Sequence, residues 1–319
     1  MVPADAFVGP DPDDLVAWES TRLSLAYIRD TVEISRGEGE LLDPLIFTTI
    51  LDANMVPVNR DPELSLRYGG DESAPDELRR PVSINAIAQS LRLPFETVRR
   101  RVNGMVARGE CVLDAGGVVA PYAAVSSPAY VAIQRARYDR ARRLYQALRA
   151  IGAVPHEPAP RPTEPAAYPL IRAANRALSV YMLRASSDLI ALTGDALSSL
   201  ILLELILANT RTLPTAQLPA WAADPVRRAV PVRIATLAQA LHLSPETARR
   251  HILKLEKLGL CERLDPTVVA TAPPALWPEL AQLMAANLAN LQRLFAALRQ
   301  LDVLAAWDTP DAAWPAAVA

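Results

Sequence analysis

Cysteine, histidine and aromatic residues are scarce in this chain: two, three and 5% of 319 residues. Two cysteines, Cys111 and Cys261, are too few for the disulfide framework of a small secreted domain, which points to the cytoplasm. His156, His242 and His251 share no metal-ligand spacing with either cysteine, so no metal and no cofactor are expected. Long apolar runs are missing too. The richest, 197–208, is interrupted by Glu204 and falls short of the roughly 18 residues of a membrane span. Residues 1–12 are acidic and proline-rich, without the basic and apolar regions of a secretion signal, and are expected to be disordered. No glycine-rich phosphate loop, nucleophile elbow or paired-carboxylate pattern occurs, so an enzyme is not expected.

Alanine and leucine are plentiful and favour helix, and 51% hydrophobic content supplies a sizeable core. Length alone suggests about two domains. The net charge of −2 argues against a nucleic-acid partner only until its distribution is considered. Residues 1–77 hold 17 acidic and 5 basic residues, a net of −12, which leaves +10 for the rest. Within 78–161, 14 arginines face 5 acids. Attraction to phosphate follows local potential rather than total charge.

An internal repeat organises the chain. A constant offset of 150 aligns 81–151 with 231–301 without a gap. Ile84/Ile234, Ala88/Ala238, Gln89/Gln239, Leu91/Leu241, Glu96/Glu246, Thr97/Thr247, Arg99/Arg249, Arg100/Arg250, Gly109/Gly259 and Cys111/Cys261 all match. Two copies at so long a period indicate a duplicated domain rather than a solenoid. The expected divisions are a first repeat over 13–151, a proline-rich linker over 152–169, a second repeat over 170–304 and a flexible tail over 305–319.

Apolar periodicity predicts helices over 13–35 and 43–54, then a polar connection over 56–80, which reads as a lid, an insert with a short helix, or a disordered stretch. Within the repeat, helices are expected at 84–91 and 95–108, apolar strands at 111–113 and 118–120 joined by a tight Asp-Gly turn, and a long helix over 128–151 with seven Arg or Asp positions on its outer face. The second half repeats this with helices at 170–187 and 195–209, a connection at 210–230, and a last helix over 276–304. On the second short helix, Val98, Val102 and Met105 share one face, which should pack on Ile87 and Leu91. Glu96, Thr97, Arg99, Arg100 and Asn103 lie opposite. In the second copy Ala248, Ile252 and Leu255 are the buried set, and Glu246, Thr247, Arg249 and Arg250 face out.

Helix, turn, helix and hairpin in this order resemble the bacterial winged helix-turn-helix transcription regulators of the MarR, ArsR and GntR type. The residues carrying the resemblance are the stretch Ile84–Leu93, then Glu96-Thr97-Val98-Arg99-Arg100 and Gly109. In the second copy they are Ser244-Pro245-Glu246-Thr247 and Lys254–Leu260. The resemblance covers about 40 residues in each half. The flanking helices look most like the MarR arrangement, in which they form a dimer interface. It implies a mainly α fold with small β-hairpin wings, two winged domains in one chain, and a MarR-like pseudo-dimer. It also implies double-stranded DNA as partner, two recognition helices on successive major-groove turns roughly 34 Å apart, and a nucleoid-associated cytoplasmic location. A small-molecule effector and further homodimerisation stay open. Paired arginines on an amphipathic helix are ordinarily a solvated face; their duplication within the same pattern favours DNA contact. Arg79, Arg80, Arg227 and Arg228 precede the strands as candidate phosphate contacts, with surface solvation an equal reading, and Arg101 and His251 flank the reading face. Cys111 and Cys261 are expected to be packing residues rather than a redox pair. Trp18, Trp221, Trp277 and Tyr27 are expected to be core rather than the walls of an effector pocket. Two other functions remain: a tandem winged-helix protein-interaction module of the chromosome-segregation type, or a plasmid-type replication initiator.

Overall fold

The computed structural model describes residues 10–155 and 168–308. His156, most of the linker, the first nine residues and 309–319 lie outside the described residues. Asp14 accepts from the Ala17 N–H and opens α1 (Leu15–Arg36), which ends at Gly37 with φ 54°. α2 (Asp43–Asn54) carries Pro44 in its first turn. The 56–80 connection is folded. α3 (Val56–Arg60) and α4 (Pro62–Arg67) occupy it, and Met55, Val58, Tyr68 and Ala74 form a small cluster of their own. Ser83 caps α5 (Ile84–Ser90), and α6 (Phe95–Ala107) follows across a short turn. The hairpin of β1 (Val112–Asp114) and β2 (Gly117–Val119) is closed by Asp114, whose Oδ1 accepts from the Gly116 and Gly117 N–H groups. After α7 (Tyr122–Val125), Ser127 caps the long α8 (Pro128–Ala150).

The second half runs α9 (Ile171–Thr193), α10 (Ala196–Thr210, capped by Asp195), α11 (Leu218–Ala223) and α12 (Pro225–Arg228). β3 (Val232–Arg233), α13 (Ile234–Ala240), α14 (Pro245–Lys257), β4 (Cys261–Leu264) and β5 (Thr267–Ala270) come next. α15 (Trp277–Gln300) and α16 (Val303–Trp307) close the described chain. The protein is thus mainly helical, with one two-stranded and one three-stranded antiparallel sheet among the described residues.

The two sheets differ by one strand. β3 pairs with β5 through Val232 opposite Val268, whereas the first copy keeps only the isolated bridge of Val82 with Val118. Gly117 marks the reason for its own identity there. Its φ is +134°, and a Cβ would lie 2.4 Å from the Val82 carbonyl oxygen. In the second copy the equivalent Thr267 stands in a regular strand. The helix turns are alike: Arg92 (φ 48°) and His242 (φ 53°) both adopt the left-handed region, and the Leu93 and Leu243 N–H groups donate to Ala88 O and Ala238 O. This closes each helix in the manner of a Schellman turn without glycine.

α1 and α9 tie the halves together. α1 packs on α8 of its own half and on α15 and α10 of the other, and α9 packs on α15, α8 and α2. Tyr27 and Tyr181, both buried, meet at this crossing with ring centroids 6.1 Å apart. Ser24 Oγ accepts from the Tyr181 hydroxyl at 2.9 Å and from Asn287 Nδ2 at 3.0 Å.

Several expectations need correction. α9 extends to Thr193, and the last expected helix divides into α15 and α16. The tail is not loosely held over its described part. Trp307 is 1% exposed and packs on Tyr138 and Tyr145, while Asp308 accepts from Arg149 and from the Tyr145 hydroxyl. One aromatic anchor makes no periodicity, so the pattern could not announce it. On α8, Arg137 and Arg142 are buried rather than outward; Arg137 faces α9, where it donates to Ser179 Oγ. Within the stretch expected as linker, Ala153 and Val154 are buried. Among the described residues no single helix is long and apolar enough to cross a membrane; α9 and α10 pass together but are bent by 95°.

Candidate nucleic-acid interface

α6 and α14 present the same face. Val98, Val102 and Met105 are buried on α6, and Ala248, Ile252 and Leu255 on α14. Opposite them Glu96, Arg99, Arg100 and Asn103 are exposed, as are Glu246, Arg249, Arg250 and Leu253, while Thr97 and Thr247 are half-buried. The class of burial agrees position by position from 95 to 105 and from 245 to 255. The N-termini differ. Ser244 Oγ accepts from the Thr247 N–H at 3.1 Å and donates to the Thr247 hydroxyl, whereas Pro94 supplies no side-chain cap.

The arginines are not equally free. Arg99 donates twice to Glu96, from Nε at 2.9 Å and from Nη2 at 2.6 Å, and this contact holds the Glu96 carboxyl below its usual range. Glu246 and Arg249 form no such pair. Arg101 and His251 turn away from the face and tether each helix to the bundle. Arg101 meets Glu40 at 2.5 Å and approaches Asp43. His251 Nδ1 lies 2.8 Å from Ser198 Oγ and 3.8 Å from Asp195, which also receives Lys254. Burial lowers the His251 pKa, outweighing the attraction of Asp195. Burial pushes the Asp195 carboxyl up, but the hydrogen bonds from Lys254 and Ser198 prevail and hold it down.

Of the flanking arginines, Arg80, Arg227 and Arg228 are exposed. Arg79 is not available as a surface cation. It is 6% exposed, its Nη2 donates to Ser73 Oγ and Ala74 O, and its Nε pairs with Asp76 at 3.3 Å. The folded 56–80 segment, which the sequence left undecided, covers it. Conversely, Arg233 and Arg263 were missed. They line a hollow of about 470 Å³ with Arg249, between the hairpin and the start of α14. The repeat concealed Arg233 because the equivalent residue is Ser83, which caps α5 in the first copy.

A larger cavity, about 680 Å³, is walled by α1, α9, α10, α11 and α15. Trp18, Trp221 and Trp277 line it with Leu25, Ile206 and Met284, so these tryptophans are cavity walls and not only core. Trp18 Nε1 donates to Asp11 O and Trp277 Nε1 to Ala272 O, while Trp221 Nε1 is buried without a partner. Tyr27 is fully buried and is not among the lining residues. Cys111 and Cys261 are buried thiols, each pushed up to about 12 by burial. Among the described residues no group of three or more His, Cys, Asp or Glu could hold a metal ion. Comparison of the chain with protein-family models, curated proteins and solved structures found no match.

Proposed function

We propose that the protein is a sequence-specific binder of double-stranded DNA and a transcription regulator. In this reading it carries two winged helix-turn-helix heads on a MarR-like pseudo-dimeric bundle within one chain. The observation that supports it is the paired outward face of α6 and α14. Both copies keep two adjacent arginines exposed, at 99–100 and 249–250, while the third position, Arg101 or His251, is turned inward as a tether. A helix of this width fits the major groove, where its N-terminal half meets base edges. Arg80, Arg227, Arg228, Arg233 and Arg263 flank the faces as phosphate contacts. No catalysis is ascribed to the protein. The setting proposed is the cytoplasm, at the nucleoid.

The 680 Å³ cavity supports a small-molecule effector as part of the same reading. Thr210, Leu260 and Ala270 belong to its wall and also to the base of the second head, so an occupant there would bias that head. The protein-interaction alternative draws on Phe95, 49% exposed at the start of α6, and on Leu253, 37% exposed on α14, where DNA contact would favour polar residues.

The test is to sequence genomic fragments that co-purify with the full chain and to footprint the protein on them. Two protected patches about one helical turn apart are expected. Protection of one patch would remove the two-headed arrangement. Binding that is indifferent to salt and sequence would favour the protein-interaction reading.

A further inference from the structure

The cavity in the second half has a counterpart in the first, and its chemistry is opposite. Leu280, Met284 and Asn287 on α15 correspond at the offset of 150 to Tyr130, Gln134 and Arg137 on α8. In the first half the space shrinks to about 60 Å³ and is lined by four arginines, Arg79, Arg137, Arg172 and Arg176. A single water needs on the order of 10–15 Å³ measured in this way, so the space is large enough for a ligand of a few heavy atoms, such as one tetrahedral oxyanion.

The chain balances the charge there only in part. Arg79, Arg137 and Arg172 are 6%, 4% and 7% exposed. Arg172 donates to Asp71 O and Val125 O, and Arg176 to Tyr68 O and Ser65 O; all four acceptors are neutral carbonyls. Arg79 pairs with the Asp76 carboxylate at 3.3 Å, and Asp71 attracts Arg172 without forming an ion pair. Among the described residues no ion pair is formed by Arg137 or Arg176. Asp52 is the one acidic residue in the lining, and burial pushes its carboxyl toward the neutral form. Burial lowers the Arg176 pKa to about 10, with Arg172 adding repulsion. Buried guanidinium groups without counter-charge carry a heavy desolvation cost that a bound anion offsets. The donors are also unfinished. Arg137 donates from Nη2 to Ser179 Oγ at 3.1 Å, and its Nε is buried without a partner. Asn175 Oδ1, in the same lining, is a buried acceptor without a donor.

We propose that this cavity binds a small oxyanion that also carries a hydroxyl, with hydrogen phosphate as the best match. The anionic oxygens take the Arg137 and neighbouring guanidinium donors, and the ligand hydroxyl donates to Asn175 Oδ1. The site lies apart from the α6 and α14 faces and stands whether or not the chain binds DNA.

The full chain is titrated with inorganic phosphate, sulfate or acetate at ionic strength held constant with chloride, and followed by Tm and calorimetry. The expected result is saturable binding of one phosphate per chain, with Tm rising as ligand exceeds Kd, and weaker responses to sulfate and acetate. Arg137→Gln, which gives up one recorded hydrogen bond, should weaken phosphate at least tenfold. Arg143→Gln, exposed on the same helix, should change nothing. If Arg137→Gln does not fold, Arg137→Lys keeps the charge and should lose the preference for phosphate over sulfate. A phosphate response no larger than that of chloride overturns the proposal, as does undiminished binding in the folded Arg137 variant.

Discussion

Asn54 and Asn209 stand 155 positions apart and make the same three hydrogen bonds. Each carbonyl accepts from the N–H of residue 80 or 230, each Nδ2 donates to the carbonyl of that same residue, and each Oδ1 accepts from the N–H of Ala120 or Ala270. The last residue or two of α2 and α10 thereby anchor the segment that enters each short-helix unit and the end of the hairpin that leaves it. The 155 offset here against 150 downstream locates five extra residues in the 55–81 connection of the first half.

Asn54→Ala or Asn209→Ala should each cost about 1–3 kcal/mol, since buried backbone groups lose their partners. Urea unfolding of the full chain measures this. A loss under about 0.5 kcal/mol would mean that water takes over the role.

Arg100→Ala and Arg250→Ala should each weaken a cognate duplex by about 1–3 kcal/mol if they read bases, and should lower the salt slope by about one if they hold phosphate. Arg79→Ala should instead leave the salt slope unchanged and reduce stability by about 1–3 kcal/mol through the orphaned Ser73 and Ala74 acceptors. Binding titrations across a salt series separate the two outcomes.

His251 makes the second head sensitive to acid. Its folded pKa lies below the ordinary 6.5, so the unfolded chain takes up the proton first as pH falls. The stability tied to the neutral ring is complete above about 6.5 and is lost as pH drops from there through the folded value. Urea midpoints between pH 8 and pH 5 should fall more steeply for the wild-type chain than for His251→Gln. Equal slopes would show that the ring is not held neutral.

Three tryptophans on one cavity provide a direct reporter. An apolar aromatic probe of suitable size should shift or quench their emission saturably, and Met284→Trp, which fills the space, should abolish the response. An equal response from the filled variant would place the probe elsewhere.

Cys111 and Cys261 should react with a thiol reagent only as fast as the chain opens, because burial removes both access and thiolate. Prompt labelling of either in the native protein would contradict their packing.

The sequence by itself determined the repeat, the helical class and the buried and outward faces of α6 and α14. These follow from period, cap and turn, which are local: the alternation of Val98, Val102 and Met105 with Arg99, Arg100 and Asn103 fixes what is buried whatever the neighbours are. Tertiary structure alone decided what each cation faces. Arg79 and Arg80 are adjacent in sequence, yet one is walled in by the 56–80 segment and the other meets solvent. Arg101 and His251 look like further members of the arginine face until the N-terminal ends of α2 and α10 place acids beside them. The two cavities were equally hidden, because their walls come from helices of both halves. Whether an arginine meets solvent, tethers a helix or lies buried depends on packing across distances that no local pattern records.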